Sequence, residues 1–146
     1  MGMPKELPPR VLTRQDRARI DKMLGDYVKT VQANYVVLTE KDGQFITKQG
    51  ESGQVDMETV AALAAGAYMV GGQMARALAK DDFNVIYHEG TKDSVQISMV
   101  DERTVLAVVF DDRATLGMVR LYAKNLTKQL QMALGEAGAR APGTFA

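Results

Sequence analysis

The chain has no cysteine, no tryptophan and a single histidine, His88, among its 146 residues. Without thiols there are no disulfides, thiolate metal sites or cysteine nucleophiles. One imidazole excludes metal sites of the paired-histidine kind and any chemistry that needs two imidazoles, while single-histidine or carboxylate mechanisms stay open. An excess of either charge is missing too, because 18 basic residues balance 18 acidic ones. Such a chain has no overall attraction to nucleic acid or to acidic membranes, and either partner would need a local patch. The first residues lack the apolar core of a secretion signal, so a cytoplasmic location is the expectation.

What is present describes a globular domain large enough to bury its own core. Three of the four prolines fall within residues 1–9, which makes residues 1–12 an irregular arm. Residues 135–146, rich in Gly and Ala, read as a flexible tail. The domain itself spans 13–134. It opens with a helix, begun by Thr13 or Gln15, whose Ile20, Leu24, Tyr27, Val28 and Val31 recur at three and four residues. Two β-branched runs follow, 35–39 and 44–48, joined through Asp42-Gly43 as a hairpin. A second helix, capped by Asp56, is expected to reach about Lys80. Three strands at 84–89, 94–100 and 104–110 have connections too short for crossovers and form an antiparallel meander. A last helix covers about 114–134, with Leu116, Val119, Leu121, Ala123, Leu126, Leu130 and Leu134 on its apolar side. Strand 105–110 is apolar on both faces and so lies mid-sheet under helices on both sides, whereas Ser94, Gln96 and Ser98 give their strand a partly polar face. The expected fold is α+β: a five-stranded antiparallel sheet with the central helix on one face and the two terminal helices on the other.

The central helix is the unusual element. From Thr59 through Ala75 no residue is charged. Seventeen residues of helix measure about 26 Å, near the lower limit for a membrane span. The run is mainly Ala and Gly with one Leu, lacks aromatic girdles, and would split strands that need one another, so a span is rejected. Val60, Leu63, Ala67, Val70, Met74 and Leu78 form a stripe expected to cover the sheet. The other side, Ala62, Ala65, Gly66, Met69, Gly72 and Gln73, with Arg76 near the end, carries no charge until Arg76. A helix apolar or small all round is covered all round. Either it lies snug against its own sheet, or a second chain supplies the cover, in which case self-pairing gives a two-fold homodimer.

Chemistry-bearing motifs are scarce. There is no phosphate-binding glycine loop and no nucleophile elbow. His88 sits at a strand end beside Glu89 and reads as a hydrogen-bonded structural residue before a general base. Asp111 and Asp112 read as helix-opening charges before a carboxylate metal site. Arg76 and Arg113 are the candidates for a guanidinium offered to a phosphoryl group. No cofactor is expected.

The order helix, two strands, helix, three strands, helix, with VVLTEKDG at 36–43, Ala64-Ala65-Gly66, HEGTKDS at 88–94 and VVFDDRATLGMVR at 108–120, resembles the Roadblock family of dimeric domains. The likeness covers about residues 18–132. It implies a homodimer in which central helices pair and sheets join through the third strand, at Gly72, Val85 and Tyr87. It further implies that a Ras-like small GTPase docks on the central helix at Ala62, Ala65, Gly66, Met69, Gln73 and Arg76. Bacterial members of this kind stimulate GTP hydrolysis in polarity or motility control. They remodel the GTPase instead of inserting an arginine, which removes Arg76 and Arg113 as fingers. An adaptor that recruits a GTPase without altering turnover is the alternative. Met69 is larger than the small residue expected at its family position, and the segment after Leu134 is shorter than in some relatives.

Overall fold

The structure, a computed structural model, describes residues 10–78 and 85–139. The elements run α1 (Arg14–Val31), β1 (Tyr35–Glu40), β2 (Phe45–Gly50), α2 (Met57–Ala77), β3 (Val85–His88), β4 (Ser94–Asp101), β5 (Thr104–Phe110) and α3 (Leu116–Ala139). The five strands form one antiparallel sheet in the order β2-β1-β5-β4-β3. The prolines of 1–9 and the expected end of the second helix near Lys80 lie outside the described residues.

Local chemistry fixes the ends. Thr13, not Gln15, opens α1: its hydroxyl accepts from the Asp16 backbone N–H at 3.0 Å while Asp16 accepts from the Thr13 N–H at 2.9 Å, a reciprocal capping box. Arg10, ahead of α1, is anchored, its guanidinium donating to Asp101 at 3.1 Å and to the Thr104 hydroxyl at 2.9 Å. Gly43 in the hairpin has φ +96°, and an added Cβ would sit 3.3 Å from the Ala62 Cα, so this turn lies close against α2.

The two sides of the sheet carry separate cores. Val36, Leu38, Leu106, Val108 and Phe110 face α1 and α3, meeting Ile20, Leu24, Tyr27, Val119, Leu126 and Leu130. Alternate residues Tyr35, Val37, Val105, Ala107 and Val109 face α2. All of β5 is buried, as a central strand covered on both faces must be.

Two parts of the apolar pattern differ from expectation. On α2, Ala61 and Ala64 meet the sheet, with Tyr68 and the expected Val60 and Ala67 packed beside them, while Leu63, Val70, Met74 and Leu78 are 68%, 57%, 54% and 58% exposed. The helix is thus turned by less than one residue position, under about 100°, from the expected stripe. Small residues lie inward because they let the helix axis approach a sheet already filled by Tyr35, Val37, Ile97 and Val109. On α3, Leu121 is 65% exposed and off the buried stripe. That helix also begins at Leu116, after Thr115, whose hydroxyl accepts from the Met118 N–H at 3.2 Å. It runs to Ala139, so the expected boundary at 134 falls within it. Ala133, Leu134 and Ala137 are buried, and Glu136 accepts from Arg19 of α1 at 2.6 Å; this packing carries the helix through Gly135.

Tyr27 ties α1 to α3, its buried hydroxyl donating to the Val119 carbonyl at 2.8 Å. Tyr27→Phe is expected to cost about 1–2 kcal/mol in denaturant unfolding. Burial pushes the Tyr27 phenol above its ordinary range, and Tyr35 shifts the same way through burial first and the Asp93 charge second. A folded-state value above the unfolded one means stability that is whole below about pH 10 and lost as pH rises beyond it. Tyr27→Phe is therefore expected to flatten the alkaline loss, as read by unfolding between pH 8 and 11.

Candidate functional site

The described face of α2 away from the sheet is mostly apolar. Asp56 caps the helix, accepting from the Glu58 N–H at 3.2 Å and the Thr59 hydroxyl at 2.7 Å. Beyond that first turn the surface is Ala62, Leu63, Met69, Val70, Gln73 and Met74, all exposed, with Arg76 in the last turn. Met69 is 51% exposed. Gly66 and Gly72 are half-buried steps between these side chains. Arg76 leans over one of them: its Nη1 lies 3.6 Å from where a Gly72 Cβ would be. An apolar strip with a polar rim is what a monomer surface rarely shows and an interaction surface commonly does.

Of the residues expected to meet a GTPase, Ala62, Met69, Gln73 and Arg76 are thus on one exposed face, with Gly66 between them. Ala65 differs from these: it is 3% exposed in the single chain, so its side chain offers little surface there. Leu63, Val70 and Met74, expected against the sheet, are surface residues that sequence reasoning misses. The signal that could have found them is the competing stripe of Ala61, Ala64, Tyr68 and Ala75, which has the same three- and four-residue spacing.

The expected interface residues of β3 fall at a sheet edge. Val85 is 41% exposed. Tyr87 is half-buried, its ring stacked on Phe110 with centroids 6.2 Å apart and its hydroxyl 3.4 Å from the Ser94 Oγ. Its ring is therefore engaged by its own sheet, leaving the β3 backbone edge and Val85 as the parts turned outward.

The charged motifs converge at one end of the sheet, where they build turns. Asp111 accepts from the backbone N–H and the Nε of Arg113, each at 3.0 Å, and Arg113 Nη2 donates to Asn34 Oδ1 at 2.9 Å. These Arg113 bonds hold the Asp111 carboxyl below its usual range, and the same pairing raises the guanidinium. Asn34 Nδ2 also reaches Asp93 at 3.5 Å. Between His88 and Asp93, Gly90 is required by space, since a Cβ there would run into the Asp93 carbonyl oxygen. His88 is exposed at the strand end. Among the described residues no three His, Asp or Glu side chains group as a metal site would need, and no helix is long and apolar enough to cross a membrane.

The Roadblock/LC7 domain signature matches residues 19–110, nearly the whole of α1 through β5. The chain belongs to the Roadblock/LC7 family. This Roadblock domain is similar to MglB of Myxococcus xanthus, with 31% identity, 87% of this chain and 96% of that one covered, and a TM-score of 0.80. Its fold also matches the gliding protein MglB of Thermus thermophilus (24% identity, 88% and 98% covered, TM-score 0.81) and a Roadblock/LC7 domain of Streptomyces avermitilis (22% identity, 79% and 97% covered, TM-score 0.72). No protein of curated function matches the sequence. In this MglB-like Roadblock domain the surface most in need of a partner is the outer side of α2.

Proposed function

We propose that the protein is a homodimeric, non-enzymatic regulator that binds a Ras-like GTPase of the MglA type and stimulates its GTP hydrolysis in bacterial polarity or motility control. The observation that carries the reading is the uncharged outer face of α2, with Leu63, Val70 and Met74 more than half exposed. Burying each such side chain is worth about 1.5–3 kcal/mol, and a two-fold contact removes three from water on each copy. Pairing of α2 with its symmetry mate through Leu63, Val70 and Met74, continued along the β3 edge at Val85, satisfies that surface. The neighbouring arc of Ala62, Gly66, Met69 and Gln73 then forms a shared floor for the GTPase. Neither step asks for a catalytic side chain from this protein: a preformed floor that binds one arrangement of the GTPase switch segments more tightly shifts the population toward it.

Light scattering tests the dimer first. The protein is expected at twice its chain mass, and Val70→Asp, which places a charge in the pairing face, is expected to give a folded monomer. A wild-type monomer would remove the shared floor on which the GTPase reading stands.

A further inference from the structure

On the opposite side of the sheet, α3 and the β4–β3 end enclose an open groove of about 690 Å³. Its floor is polar and unsatisfied. Gln96, 1% exposed, and Ser98, 6% exposed, leave Oε1 and Oγ without a hydrogen-bond partner among the described residues. Two such atoms buried side by side on one strand are costly unless something binds them. The wall is basic: Arg120, Lys124 and Lys128 of α3 line the groove, and none of the three forms an ion pair among the described residues. We propose that this groove is a second binding site, which takes an extended acidic segment of a partner polypeptide.

The spacing favours a polypeptide. The three cations recur every four residues of helix, a rise of about 6 Å per step. In an extended chain, alternate side chains on one side are about 6.6 Å apart. Acidic residues at every second position of an extended segment therefore keep step with Arg120, Lys124 and Lys128, whereas a single phosphate meets only one of them. The floor adds a second argument. The Gln96 Oε1 is an acceptor buried beneath the groove, and a turn of its side chain would offer it to a donor, which a bare oxyanion lacks and a peptide N–H supplies. Val85 and Ala123 give the groove an apolar lip and wall for the intervening side chains. The groove lies on the opposite side of the sheet from α2 and shares only Val85, at the β3 edge, with the proposed dimer contact.

The test is fluorescence anisotropy with a labelled octapeptide alternating Glu with Val or Thr, using the full chain and no GTPase. Saturable binding at low salt is expected, weakened about tenfold by Lys124→Glu and retained by Lys124→Arg, with the exposed Lys29→Glu on α1 as a control that changes little. Gln96→Leu is expected to weaken the peptide several-fold while the thermal midpoint holds or rises, because an unpaired polar group has been removed. Three outcomes overturn the proposal: no binding, equal losses from Lys29→Glu and Lys124→Glu, or full displacement by inorganic tripolyphosphate at matched charge and ionic strength. The last would assign the groove to a small oxyanion.

Discussion

Met69→Arg is expected to abolish capture of the GTPase, by at least about 100-fold in affinity, while leaving the protein folded. The side chain is 51% exposed near the middle of the α2 face, between the half-buried Gly66 and the exposed Gln73. A guanidinium there puts an unpaired charge at the centre of an apolar contact, where interfaces are least tolerant. On the free protein the change touches solvent, so unfolding free energy should move by about 0.5 kcal/mol or less. Met69→Ala, which brings the position toward the small residue of the family pattern, is expected to bind at least as well as wild type. Titration of a labelled GTPase, loaded with a non-hydrolysable GTP analogue, reads both variants. Undiminished binding by Met69→Arg moves the docking surface off α2.

Gly50→Ala is expected to be the most destabilising single change in the hairpin. Gly50 ends β2 with φ +107°, a backbone conformation that L side chains rarely adopt. The added methyl would sit 2.7 Å from the Tyr35 Cα and collide with the Asn34 carbonyl oxygen, which already accepts from the Glu51 N–H at 2.8 Å. Backbone cannot yield as a flexible side chain does, so strain and clash together should cost about 3 kcal/mol or more. Urea unfolding measures it. Gly53, also at positive φ but with open space around it, provides the contrast: Gly53→Ala carries the conformational cost alone, about 1 kcal/mol.

Where residue type and spacing had a single physical reading, the sequence was enough. β5 is apolar at successive positions, which only a doubly covered strand tolerates, and it lies at the centre of the sheet. The phase of α2 was not legible in the same way. Two stripes share its periodicity, and hydropathy favours the bulky one; packing chose the alanines because the sheet beneath already supplies the volume. The same ambiguity hid part of the candidate site, since Leu63, Val70 and Met74 look like core by type. The end of α3 was obscured by Gly135, whose cost to the helix is offset by burial of Ala137 that no local signal announces. The alternation of Ser94, Gln96 and Ser98 did announce a polar face of β4, but not that Gln96 and Ser98 would be buried under α3 without partners.

The proposed regulatory role asks for no arginine from this protein. Arg113 is committed to Asp111 and Asn34, and Arg76 lies along the helix over Gly72. In the proposed role, activation comes from the conformation the surface selects in the GTPase, so binding and acceleration are separable properties. Phosphate release from a GTP-loaded MglA-type GTPase, with and without the protein, tests this most directly. A rise in single-turnover hydrolysis rate that saturates with protein concentration and disappears with Met69→Arg is expected. Tight binding with an unchanged rate would contradict it and leave the dimer as a recruiting module.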